Sequence, residues 1–324
     1  MKTIAREIGA SIDKDALVHA LEDASDTPMP QVERPRTRTA TIPVALLDEQ
    51  RHDVKMPRPQ ERDAACGGIS EHPVVHLDGR GRTVHAAPLS TECGLTVVLD
   101  GLKVTKLMGS PEDGEELAVG YLSTAGLISE REDILDVRVD STLGIASVDT
   151  RGDQAMLPRI FDSHLTGQGF ARGTAYRGLL VAAEPTVHSD LRVTIDDLLN
   201  AVEMLEKAST THKRTHGTHS AALYGGGRLR IFREDIGRHN AIDKVYGACL
   251  LDGIPTADRV LLTSGRVWSE TVCKAARRQT PIIVSIAPPT AQAVEVAERA
   301  GVTVVMVKGG EIDVYSQVRR IVGC

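Results

Sequence analysis

Aromatic side chains are scarce in this 324-residue chain: three Phe, five Tyr and one Trp amount to 3% of it. A core without large rings has to be assembled from Val, Leu, Ile and Ala, which suits a sheet covered by helices. Long apolar runs are missing as well. None approaches the roughly 20 residues that span a bilayer, so no membrane association is expected. The first residues, MKTIAREIGASIDKDAL, carry early cations but no apolar centre, and a secretory signal is not expected there. Positive charge is not in excess: 38 Lys and Arg against 44 Asp and Glu leave a net charge of −6. That balance argues against broad nucleic-acid binding. Cysteine is sparse too. Cys66, Cys93, Cys249, Cys273 and Cys324 are an odd five, with no two in C-x-x-C spacing. Such usage fits reduced thiols in a cytoplasmic protein rather than a disulfide framework. The remaining composition, 41% apolar and 25% charged, is that of a globular protein with room for one large or two ordinary domains.

The chain divides into four stretches. Residues 1–86 read as an N-terminal extension, partly disordered: Asp13 to Asp23 suits one helix, while PMPQVERPRTRTATIP and KMPRPQERDAACGG show no period. Residues 87–165 read as a small α+β subdomain. There LTVVLDGLKVTKLM folds back at Asp100-Gly101 as a hairpin. Ser110-Pro111-Glu112-Asp113 then offers an N-cap, a proline at the first helical position and an acid at the third, for a helix running to about Ala125 and ended by Gly126. ILDVRVDSTLGIASVDT supplies two more strands. Residues 166–193 form a loop region containing the Gly- and Arg-rich GQGFARGTAYRG.

Residues 194–324 are the most regular and read as the main α/β subdomain. A helix capped by Thr194 runs to about Lys207, and AALYGGGRLRIF is a hairpin closed by glycines. A helix starts near Asn240. The strands RVLLTS, PIIVS and VTVVMV then alternate with helices over Ser269–Arg278 and Thr290–Ala300. This β-α-β-α-β order predicts a right-handed parallel sheet.

Chemistry concentrates in Glu234-Asp235-Ile236-Gly237-Arg238-His239-Asn240-Ala241-Ile242-Asp243-Lys244. Three carboxylates, two permanent cations, a histidine and an amide crowd a loop-to-helix junction, where a core cannot hold them unpaired. In a parallel sheet all strand C-termini share one edge, beside which ligands bind. The residues leaving the strands are Ser264-Gly265-Arg266, Ser285-Ile286-Ala287 and Lys308-Gly309-Gly310, and the helices starting near Ser269 and Thr290 aim free N–H groups at the same edge. The chemistry this suits is capture of a phosphorylated ligand: Arg238 and Arg266 as bidentate grips, with Lys244, Lys274 or Lys308 as point charges. Glu234, Asp235 and Asp243 would hold ribose hydroxyls or base N–H groups, or equally orient the arginines within an internal salt-bridge network.

Other constellations are weaker. His212, His216 and His219 have the spacing of one helical face, but Thr215, Gly217 and Thr218 are poor helix material. A loop carrying one or two functional histidines, with His219 at the ligand, is preferred to a metal site, and no metal ligand set is assigned. The chain lacks the zinc-deaminase signature and a nucleophile elbow. Cys249 continues an apolar helical stripe. Cys273 lies one turn into a helix whose start faces the proposed edge, where a thiolate can be stabilised, but a small buried hydrophobe is the preferred reading.

EDIGRHNAIDK, TSGRVWSE, the Lys274-Ala275 pair, S-x-A-P-P-T at 285–290, the V-Y at 314–315, HGTHSAAL at 216–223, and LTVVLDG with EELAVGYL upstream together resemble the formate dehydrogenase accessory protein family, FdhD. The resemblance runs over about residues 90–320. It implies a cytidine-deaminase-like three-layer fold without the zinc chemistry, and a cytoplasmic factor passing sulfur from a cysteine desulfurase to the molybdenum cofactor of formate dehydrogenase or another molybdenum or tungsten enzyme. It also implies binding of a molybdenum bis(molybdopterin guanine dinucleotide), or a guanine nucleotide, by a protein expected to be a homodimer. By motif position the family's cofactor-contacting stretch falls on Met306-Val307-Lys308-Gly309-Gly310-Glu311, with an acid where a cation is expected. The expected binding set is therefore His219, Glu234, Asp235, Gly237, Arg238, His239, Asn240, Asp243, Lys244, Ser264, Gly265, Arg266, Ser285, Thr290 and that stretch. The family's C-x-x-C would fall on Phe170 and Gly173, neither of which can carry a persulfide, which leaves Cys273, Cys66 or Cys324 as substitutes. Three functions follow as alternatives: sulfur transfer through a relocated cysteine, a cofactor-binding chaperone without that step, or a nucleotide-modifying enzyme using a deaminase-like pocket.

Overall fold

The structure, a computed structural model, describes residues 68–79, 81–151 and 185–323. The expected helix at 13–23, the loop at 167–178 with Phe170 and Gly173, and Cys66 and Cys324 lie outside the described residues.

A mixed six-stranded sheet organises the C-terminal part. It contains β8 (His219–Tyr224), β9 (Leu229–Asp235), β10 (Val260–Thr263), β11 (Ile282–Ser285), β12 (Thr303–Lys308) and β13 (Glu311–Val314), in the order β13-β12-β11-β10-β8-β9. The expected parallel run is present in β10, β11 and β12. Its flanks are antiparallel: β8–β9 is the hairpin expected of AALYGGGRLRIF, whereas the antiparallel β8–β10 and β12–β13 pairs were not anticipated. The cause is the length of the connections. β8 joins β9, and β12 joins β13, through short glycine turns, and a tight turn can only reverse a strand. Gly309 and Gly310 make the second of these with φ of 61° and 85°, the left-handed conformation such a turn needs.

Helices cover both faces. On one lies α2 (Ile195–Ala208), whose Leu198, Ala201, Val202 and Leu205 pack with Ala222, Leu262, Val284 and Val305. On the other lie α4 (Arg238–Leu251), α5 (Ser269–Arg277) and α6 (Ala291–Ala300), which meet the alternate strand residues Ala221, Leu223, Leu261, Ile283 and Val304. Small and branched side chains fill both layers, as the shortage of aromatics required. Thr194 caps α2 by accepting the Asp197 N–H at 3.1 Å while Asp197 accepts from the Thr194 N–H, and Thr290 caps α6 through the Ala293 N–H.

Upstream, a four-stranded sheet in the order β4-β3-β6-β5 is built from β3 (Cys93–Leu99), β4 (Leu102–Gly109), β5 (Ile134–Asp140) and β6 (Ile145–Thr150). The Asp100-Gly101 hairpin is present, with both residues at positive φ. Helix α1 (Gly114–Thr124) rests Ala118, Val119 and Leu122 on this sheet together with Leu250 of α4. It starts three residues later than Ser110 suggested, with Asp113 rather than Ser110 before its first turn. Ser110 is already engaged: its N–H donates to Asp235 at 2.9 Å and its hydroxyl accepts the Ile236 N–H, so it cannot cap a helix. Gly126, at φ 79°, follows the helix end as expected.

Two further differences are local. Strands β1 (Ile69–Asp78) and β2 (Gly81–Ser90) form a ten-pair hairpin across the expected boundary at residue 86. Both strands are largely exposed and include Pro73 and Pro88, so the apolar alternation of a half-buried strand is absent. A short helix, α3 (Thr210–Thr215), stands where a loop was expected and carries His212, while His216 ends it at φ 52° and His219 opens β8. The remaining pair, β7 (Val193–Thr194) with β14 (Ile321–Val322), ties the chain end to the start of α2.

Candidate functional site

The charged junction separates into an inner frame and an outer face. Asp235 and Lys244 are both 0% exposed and pair at 2.7 Å. Asp235 also accepts the N–H groups of Gly237 at 2.8 Å and Ser110 at 2.9 Å, and the Asn240 amide at 3.0 Å. Asn240 donates to the Met108 carbonyl as well. One turn along α4, Asp243 pairs with Lys274 of α5 at 2.6 Å and accepts the Thr124 hydroxyl at 2.7 Å, all three side chains buried. Burial pushes the Asp243 carboxyl above its usual range, and Lys274 opposes this. Glu234 accepts the N–H groups of Thr211 and His212 at the start of α3 and the Thr218 hydroxyl. The expectation that Asp235, Asp243, Lys244 and Lys274 could reach a ligand is therefore corrected, because each is sealed into an internal pair. The partners of Asp235 and Asp243 are lysines, and Glu234 holds the start of α3, so none of the three carboxylates directly orients Arg238 or Arg266.

The outer face is what the frame holds up. Arg238 and His239 open α4, with Gly237 as the residue before its first turn. Gly265 lies directly against the Arg238 side chain: a Cβ there would come within 2.8 Å of the arginine Cβ. Burial, followed by the positive charge of Arg266, lowers the affinity of Arg238 for its proton, and only Glu270 acts in the other direction. The Arg238 Nε is buried with no acceptor in reach among the described residues. Two guanidinium groups are thus held near one another without a matching pair of carboxylates, an arrangement that a bound anion would stabilise.

Trp268 and Glu270, neither of them singled out from the sequence as site residues, complete the face. The Arg238 guanidinium carbon sits 4.0 Å above the Trp268 ring, and the His239 ring meets the same indole edge-on at 5.9 Å. Glu270 lies 3.9 Å from His239 Nδ1 and 3.5 Å from Lys274. Burial raises its pKa, but Lys274, His239 and Arg238 together hold it below the ordinary carboxylate range. Burial lowers the His239 pKa to about 4, so the ring is neutral at pH 7. His219, 3.4 Å from the Ser264 hydroxyl, is also lowered by burial and by Arg238 and His212. A signal for Trp268 was present: it is the only tryptophan of an aromatic-poor chain, inside TSGRVWSE.

The other strand ends are supports and neighbours. The Ser285 hydroxyl donates to the Gly265 carbonyl at 2.8 Å and fixes that loop. The Thr290 N–H donates to the Val267 carbonyl, while its hydroxyl serves as the cap of α6. Met306 pairs in register with Ser285, one strand beyond it and roughly 10 Å from β10 by two strand spacings. Val307 points into the core, whereas Lys308, Gly309, Gly310 and Glu311 are exposed at the β12–β13 turn. Cys273, the substitute sulfur carrier, is 2% exposed and packs in the core beneath α5. Burial pushes the Cys249 thiol up to about 12, and neither sulfur is open to a reaction partner. Among the described residues, no group of three His, Cys, Asp or Glu side chains is placed to hold a metal ion, and no helix is long and apolar enough to cross a membrane.

Comparison with known proteins gives one family. A family model described as FdhD/NarQ matches residues 90–322. The sulfur carrier protein FdhD of Bacillus subtilis (strain 168) is 34% identical over 233 residues, covering 71% of this chain and 89% of its own. That of Staphylococcus aureus (strain MRSA252) is 33% identical over 238 residues, covering 72% and 88%. A crystal structure of a formate dehydrogenase accessory protein from Desulfotalea psychrophila superposes with a TM-score of 0.66 at 25% identity, over 79% of this chain and all of that one.

Proposed function

The chain belongs to the FdhD/NarQ family, and from that premise we propose that it is a formate dehydrogenase accessory factor that binds a guanine-nucleotide-bearing molybdenum cofactor along the Arg238–Arg266 edge. The cargo is molybdenum bis(molybdopterin guanine dinucleotide), or a guanine nucleotide derived from it. Its phosphates lie against Arg238, Arg266 and the first N–H groups of α5, which no side chain caps. The exposed turn at Lys308 to Glu311 extends the same edge. A cytidine-deaminase-like fold, action in the cytoplasm, a cysteine desulfurase as sulfur donor, a homodimer, and formate dehydrogenase or another molybdenum or tungsten enzyme as recipient belong to the same proposal.

The observation that carries it is the buried Arg238 Nε, unpaired beside a second guanidinium. Titration calorimetry with GDP tests it. Losing a charged hydrogen-bonding group should weaken binding roughly 10- to 100-fold in Arg238→Ala. Equal affinities for variant and parent would remove the site.

A second form of this function, cofactor binding and delivery without sulfur transfer, is favoured by the burial of Cys249 and Cys273. Incubation with a desulfurase and isotopically labelled cysteine, followed by mass spectrometry of the intact protein and its peptides, separates the two. The binding-only form expects no persulfide on any of the five cysteines. A persulfide on Cys66, Cys93 or Cys324 would restore the carrier role and name its residue.

A further inference from the structure

The helix α5 is entered by a residue unsuited to the task. Ser, Thr, Asp or Asn at this position would bond the free N–H groups of the first turn. Trp268 occupies it in extended conformation and makes no such bond. A local rule is broken here without a structural return, since the indole remains 39% exposed rather than buried in a core that has few rings.

What surrounds the ring gives the purpose. The Arg238 guanidinium stacks on it at 4.0 Å, and His239 approaches it edge-on. A guanidinium held over an indole face by cation–π attraction still has N–H groups to offer a phosphate, and here Nε has no partner among the described residues. Ring and anion site are therefore contiguous. One is a flat π surface with solvent access, and the other is a pair of cations with an unpaired Nε. A ligand matching both has a planar heteroaromatic ring connected to phosphates.

We propose that Trp268 is the stacking platform for the base of a nucleotide whose phosphates are held by Arg238 and Arg266. This rests on the anion-site assignment above and adds to it the residue that recognises the ring. Such stacking is tolerant of base identity, because every base presents a π face. It therefore supplies affinity for a ring, while discrimination among rings is left to polar groups nearby.

Trp268 is the sole tryptophan, so the selectively excited tryptophan emission of the full-length protein reports this position alone. Titration with GDP should change that emission, and titration with inorganic pyrophosphate should bind without a comparable change. In Trp268→Leu, GDP affinity should fall on the order of 30-fold. Pyrophosphate affinity should fall by less than about 5-fold, the scale of losing the contact that steadies Arg238. Trp268→Phe should recover most of the GDP affinity. Equal losses for GDP and pyrophosphate would overturn the platform and leave Trp268 as a support for Arg238. Unchanged emission on GDP binding, or parent GDP affinity no better than that for pyrophosphate, would overturn it too while sparing the anion site. Failure of the parent to bind either ligand would remove both.

Discussion

Asp243→Ala is expected to lower the unfolding free energy by about 3–5 kcal/mol, the cost of stranding one member of a buried ion pair. The residue left behind is Lys274, 1% exposed, whose other carboxylate contact is the more distant Glu270 at 3.5 Å. The Thr124 hydroxyl loses its acceptor in the same step. Three helices are tied at this point, because Thr124 ends α1, Asp243 belongs to α4 and Lys274 to α5. A shift in the denaturation midpoint with an unchanged slope measures the effect. The double variant Asp243→Ala, Lys274→Met should lose less than the single one, since the buried ammonium has been removed with its main partner. A single-variant loss below about 1 kcal/mol would show that the ammonium finds water or another acceptor. The two arginines should be disturbed as well. Glu270 would be drawn toward Lys274 and away from His239, changing the charge that Arg238 faces.

The elements legible in the sequence are those whose signals are local. The Thr194 cap, the Asp100-Gly101 turn and the three parallel strands each depend on a few neighbouring residues, and each is present. What escaped depends on contacts between distant segments. Ser110 looked like a cap because Asp235, 125 residues away, could not be seen to claim it. Asp235, Asp243 and Lys244 looked like ligand-binding groups because charge density alone cannot distinguish an internal pair from an open one. The periodicity of α4 gave no help, since every residue from Asn240 to Leu250 is buried and no polar face marks which charges reach solvent. The positions of Arg238 and Arg266 were legible, because one opens α4 and the other follows β10, where topology itself directs them to the sheet edge. Trp268 was quoted within a motif and passed over because an aromatic is ordinarily expected in the core.

Gly247→Ala should cost about 3 kcal/mol net, despite replacing glycine by the best helix former. Within an ordinary helix the change would gain about 1 kcal/mol. Here α4 crosses α1 so closely that a Cβ on Gly247 would overlap the Glu116 carbonyl oxygen, and one on Gly120 would overlap that of Asp243. The obstacles are backbone atoms of the facing helix, so no side-chain rotation relieves them and the helices must separate. Separation loosens the packing of Leu250 among the α1 residues of the small sheet. It also moves the helix that begins with Arg238 and His239. The variant should therefore melt roughly 10 °C lower and bind GDP more weakly, although residue 247 lies more than two helical turns from the arginine. Gly120→Ala should behave alike, and the pair of changes should cost less than the sum of the two, because the first methyl already forces the helices apart. Full additivity would mean that the two glycines act at independent contacts. A neutral or stabilising Gly247→Ala would mean that the helices separate without loss, and α1 would then have no part in setting the position of Arg238.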